Sequence, residues 1–133
     1  MNGFDTNLLL RILLQDDAAQ LAIVEMHMSR LAATGERAYI CLPVFIEAVF
    51  VLHRLKKLSK ADVCGALRQV LDSAAFLFEH GDGLRQALNN WQWGKAGFND
   101  YLIGELNHRF GCLQTCTFDR ALWTEDPERY KSP

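Results

Sequence analysis

Val44, Phe45, Ile46, Ala48, Val49, Phe50, Val51 and Leu52 form a run that only Glu47 interrupts. A helix turns every 3.6 residues, so a run this apolar gives water no face of its own. The stretch is expected to be a helix buried nearly all round, which demands a fold with packing on more than one side of it. Glu47 then becomes the constraint. A charged carboxylate left unpaired in such a place costs several kcal/mol or more, so Glu47 must be neutral, salt-bridged or beside a cation. An ion pair, a rim position and a metal site all meet that condition.

The neighbouring segments say what packs around this helix. Pro43 suits its first position, its end is expected near Arg54, and residues 39–42 read as a short buried strand leading into it. Upstream, Asp5, Thr6 and Asn7 ahead of Leu8, Leu9 and Leu10 read as a strand end, a cap and an apolar helix. Asp17 and Gln20 have capping-box spacing before the stripe Leu21, Val24, Met28 and Leu31, which Gly35 closes. Downstream, Ser59 caps a helix through Val63, Leu67, Val70 and Leu71, residues 75–79 read as a strand, and Leu84, Ala87, Leu88 and Trp91 recur at helical spacing. Leu102, Ile103, Leu106 and Phe110 mark one more helix, stopped by Gly111, and residues 112–118 alternate as a strand with Leu113, Thr115 and Thr117 on one side. Short apolar strands alternating with helices predict an α/β fold, with a central, mainly parallel sheet flanked by helices on both faces. One domain is expected over residues 1–133, with 124–133 as a polar C-terminal tail.

Length and charge agree with that. At 133 residues, half of them hydrophobic, the chain has the size of one ordinary domain. A formal charge of -2 excludes a globally basic nucleic-acid binder, so any such role must rest on a local patch. The four cysteines, Cys41, Cys64, Cys112 and Cys116, lack paired C-x-x-C spacing and are expected to be buried thiols in a reducing compartment. No leader pattern and no membrane-length apolar run is present, so a cytoplasmic protein is expected.

Three further carboxylates stand where folds display them. Asp5 ends a strand, Asp100 lies in the first turn of a helix, and Asp119 follows the last predicted strand. Each also has a plain reading as a cap or turn residue. In order, Asp5 in DTNLLLRILL, Glu47 in IEAVFVLHR, Asp100 in FND and Asp119 in TFDRA resemble the PIN-domain ribonucleases, most closely the VapC-type toxins of toxin-antitoxin pairs, over residues 4–122. The resemblance implies a PIN-like fold and a Mg2+ or Mn2+ site held by Asp5, Glu47, Asp100 and Asp119. Thr117 matches the family's frequent active-site hydroxyl, and Asn7 the polar residue of its opening motif. Members often carry an acid where this chain has Gly97, which bears on a second metal site.

The chemistry suits the residues themselves. Cutting a phosphodiester needs a nucleophilic water and a sink for charge on the phosphoryl oxygens, and hard divalent cations on carboxylates supply both. Asp5, Asp100 and Asp119 are the expected metal ligands, and Glu47 binds metal directly or through water, or orients the attacking water. With the resemblance, which implies RNA as the substrate, the expected activity is metal-dependent cleavage of RNA. The alternatives are a non-catalytic or weakly active PIN-like binding module, to which Gly97 lends support, and a housekeeping RNA-processing nuclease. A dehalogenase-like phosphatase is set aside because its D-x-D pattern would need an acid where Asn7 stands.

Other features read two ways. Arg54, Lys56, Lys57 and Lys60 form either a solvated face or a phosphate contact. Trp91 and Trp93 serve packing or base stacking, and Arg11 pairs with an acid near the site or lies on a surface. Two apolar N-terminal helices exceed what one small sheet can cover, and the resemblance implies a homodimer. It also implies a VapB-type antitoxin, whose C-terminal segment folds along exposed helices and aims a basic side chain at the carboxylates.

Overall fold

The computed structural model describes all residues, Met1–Pro133, and the chain divides into two compact units, Met1–Gly81 and Asp82–Pro133. The first unit contains β1 (Asn2–Gly3), α1 (Thr6–Leu14), α2 (Ala18–Ala33), β2 (Ala38–Ile40), α3 (Leu42–Phe50), a π-turn (Val51–Leu55), α4 (Lys60–Leu71) and β3 (Phe76–Phe78). Its strands form a parallel sheet in the order β1-β2-β3, registered Gly3 to Tyr39 and Tyr39 to Leu77. Parallel strands need crossovers. α1 with α2 supplies the first, and α3 with α4 the second. Leu9, Ile40, Phe45, Leu52, Val63, Cys64 and Leu67 are fully buried in this unit, and the Phe45 and Phe78 rings meet edge to face.

The second unit holds α5 (Gly81–Trp93, from the last residue of the first unit), α6 (Phe98–Phe110), β4 (Thr115–Cys116), α7 (Arg120–Glu125) and β5 (Tyr130–Lys131). Here β4 and β5 pair parallel, Thr115 with Tyr130. Leu84, Ala87, Leu88 and Trp91 are buried on one face of α5, as their spacing predicts. No helix is long and apolar enough to cross a membrane.

The fold is thus α/β and helix-rich with short parallel strands, but the strands lie in two sheets where a single central one was expected. Of residues 112–118 only Thr115 and Cys116 are strand, and Leu113 is exposed. The expected tail is not a tail. Tyr130 is buried and belongs to β5, because β4 needs a partner and this segment returns to supply one. Ile103 and Phe110, placed on the apolar stripe of α6, are exposed, while Tyr101 and Leu102 are buried. Of the four cysteines only Cys64 is buried. Cys41 is half-buried, and Cys112 and Cys116 are exposed on either side of the turn into β4.

Candidate functional site

Asp5 stands where β1 hands over to α1. The ladder runs one residue past the strand, Phe4 N–H donating to the Tyr39 carbonyl at 2.9 Å, and Asp5 then caps α1, its Oδ1 accepting from Leu8 N–H at 3.1 Å. Parallel strands end at one edge, so Asp5 and the start of α3 after β2 lie at the same edge of the sheet. α3 packs against α1. Asp5 is exposed, and its second carboxylate oxygen accepts no hydrogen bond within the protein.

Glu47 corrects the sequence reading. The helix around it is buried on one side only: Val44, Phe45, Ala48, Val49 and Leu52 are buried, while Pro43, Glu47 and Phe50 are exposed at helical spacing. Apolar composition therefore does not translate into burial all round, and of the places open to Glu47 it takes the exposed rim position, with no ion pair. The expected end near Arg54 is reached by the π-turn, closed by Lys56 N–H to the Val51 carbonyl at 2.9 Å.

In the second unit Asp100 lies in the first turn of α6 and its Oδ2 accepts from Gly97 N–H at 3.0 Å. Gly97 offers no side chain in return, so Asp100 alone caps this end. Asp119 caps α7 just past β4, Oδ1 accepting from Ala121 N–H at 2.9 Å. The Thr117 hydroxyl accepts from Asp119 N–H at 3.1 Å, and the Trp123 indole donates to the Thr117 carbonyl at 2.7 Å. Thr117 thus holds the backbone that carries Asp119. Asp100 and Asp119 are both half-buried. Asp5 and Glu47 belong to the first unit, Asp100 and Asp119 to the second. Within either unit no three His, Cys, Asp or Glu side chains group as a metal cage.

Several bonds around these residues carry no sequence signal. Glu79, one residue past β3, reaches across to accept from Leu42 N–H at 2.7 Å and so fixes the start of the helix that carries Glu47. A lone Glu after an apolar run has no spacing rule that marks it. Glu105 is 4% exposed and accepts from Arg109 Nε at 2.8 Å and Arg129 at 3.5 Å. Only its i,i+4 partner was legible in principle. Arg11 pairs with Asp16 at 3.0 Å, outside the four acids. Trp91 is packed on Phe98 and buried, whereas Trp93 is exposed.

The four acids offer hard oxygen donors of the kind magnesium and manganese take, each Asp keeping one oxygen outside its cap. Compared with family models, with curated proteins and with solved structures, the chain matches none.

Proposed function

We propose that the chain is a metal-dependent endoribonuclease of the PIN, VapC-like type, and that Asp5, Glu47, Asp100 and Asp119 hold Mg2+ or Mn2+. One observation carries the reading. All three aspartates sit at helix N-termini, two of them within three residues of the end of a parallel strand, each with one oxygen engaged in a cap and the other left for a ligand. Capping fixes the side-chain rotamer, so a ligand oxygen is held without help from the metal. The bound cation supplies an activated water and neutralises charge on the phosphoryl oxygens. Glu47, exposed and without a protein partner, is free to orient the attacking water or to join the ligand set. Thr117 acts as a positioning residue for Asp119 through the bond to its N–H.

The proposal extends to partners. A VapB-type antitoxin would hold the nuclease inactive, competing with the metal through a basic side chain aimed at the carboxylates. A second copy of the chain would cover the α1–α2 face, where Ile23 and Met26 are 69% and 57% exposed beside a groove of about 640 Å³. The functional reading is tested by incubating the purified protein, free of any inhibitor, with single-stranded RNA and mapping the ends produced. Cutting in magnesium or manganese supports it, and an RNA left intact with either metal rejects it.

A further inference from the structure

Phe50 is 54% exposed on the stripe of α3 that carries Glu47, although the helix has a buried side to receive it. It lies three positions after Glu47 and four before Arg54, which is also exposed. The spacing puts all three on one side. From Phe50 to Arg54 the chain runs through the π-turn, where i→i+5 bonding winds each residue through less than the α-helical angle, so four residues make just under one turn. At about 1.5 Å of rise per residue, Glu47 and Arg54 lie roughly 10 Å apart along the axis with Phe50 between them.

The end of the π-turn adds charge. Lys57 adopts a left-handed backbone with φ 57° that terminates the helix, and Leu58 N–H bonds the Leu52 carbonyl at 3.0 Å, so the turn is held in place. Lys56, Lys57 and Arg54 are exposed there, with Lys56 3.8 Å from Asp16. A helix C-terminus favours cations on its own account, but it gives no reason for an exposed phenylalanine. An exposed aromatic face followed one turn on by cations matches a base and the adjoining phosphate of a single strand. Trp93, also exposed, lines a hollow that sets one cation, Lys95, against two acids, Glu125 and Asp126, so its surroundings are less favourable to a phosphate than the Arg54–Lys57 end.

We infer that the Glu47–Phe50–Arg54 stripe is a track for single-stranded RNA, with a base stacked on Phe50 and an adjoining phosphate held by Arg54 and Lys57. This inference rests on the nuclease reading for the role of Glu47, while the binding it describes stands apart from cutting. The track leads the strand past Glu47. Its recognition is by stacking and charge, so it is tolerant of base identity.

The test is anisotropy titration of a labelled single-stranded RNA with the full chain carrying Asp100→Asn, so that the probe stays intact. Adding Phe50→Ala should weaken binding by about 5- to 100-fold, the range that base stacking on an aromatic ring supports. Phe50→Trp should restore it. Arg54→Ala should lower the slope of log affinity against log salt by about 0.7, one phosphate contact on a single strand, and Arg37→Ala, the same change before β2, should not. Unchanged affinity and slope in the Phe50 and Arg54 variants overturn the track even if the wild-type protein cuts RNA. Losses in both with a wild-type protein that never cuts keep the track and overturn the nuclease reading. If Phe50→Ala leaves RNA affinity intact but disrupts self-association or binding of an inhibitor protein, the stripe is a protein surface and the inference falls.

Discussion

Asp5 and Asp119 each combine a helix cap with a proposed ligand, and the two roles separate by substitution. Asparagine caps as well as aspartate but carries no charge, whereas alanine removes both. Asp5→Asn should therefore leave thermal stability near wild type and abolish cutting. Asp5→Ala should abolish cutting and also cost about 0.5–2 kcal/mol of stability, the usual loss for an N-cap. Thermal melts of the two variants beside an RNA assay decide it, and a stable Asp5→Asn protein that still cuts removes Asp5 from the site. The cysteines give a second check at this scale. Cys112 and Cys116 are exposed while Cys64 is buried, with burial pushing its thiol pKa up, so alkylation of the native protein should label the first two and reach Cys64 only on unfolding. Rapid native labelling of Cys64 would contradict the packing of α4.

Elements with strong periodicity were legible, and those that depend on distant partners were not. The buried face of α5, the Ser59 cap of α4 and the Gly111 stop of α6, with its φ of 112°, follow from local rules, and the structure has all three. By contrast β5 is a polar segment made a strand only by pairing with β4, and α3 is apolar by composition yet exposed along Glu47 and Phe50. Hydrophobicity measures what a residue tolerates. It does not fix which side of a helix the chain will cover. The same holds for the candidate site, where the positions of Asp5, Asp100 and Asp119 at element ends were readable, while Glu79 acts through a long-range bond and Trp123 through a bond to the Thr117 carbonyl that no spacing rule marks. The C-terminal segment is tied in by two tyrosines. Tyr101 donates to Glu125 at 2.5 Å and accepts from Ala96 N–H at 3.1 Å, and Tyr130 packs so close to Gly104 that a Cβ there would collide with its ring. Burial foremost, with the neighbouring Glu125 or Asp126, raises both hydroxyls from 10.0 to about 12. The folded chain keeps these protons where the unfolded chain has lost them, so their contribution is whole below about pH 10 and falls away as pH rises toward 12. Denaturant midpoints should decline across that window, and Tyr130→Phe should flatten part of the decline. Gly104→Ala should lower stability by at least about 1 kcal/mol through overpacking, read from the same titrations.

At the scale of the whole molecule the predictions concern partners and turnover. If a second copy covers the α1–α2 face, Ile23→Asp should convert the dimer to monomer in sedimentation at tens of micromolar, while a wild-type chain that is already monomeric there contradicts the dimer. An inhibitor that competes with the metal should lose potency as magnesium rises, and, on the toxin reading, expression of the chain alone should arrest growth and co-expression of the proposed antitoxin should restore it. Harmless expression of a protein that cuts RNA in vitro would point to RNA processing instead. The central claim is that the chain cuts RNA with a divalent cation to which Asp100 is a ligand, and it is tested most directly by a cleavage time course in magnesium, in manganese and in excess EDTA, run on the wild-type protein and on Asp100→Asn. The account predicts cutting by the wild type with either metal, none in EDTA, and none by a variant whose melting is unchanged. Cleavage that persists in EDTA, or that a folded Asp100→Asn protein still performs, would contradict it.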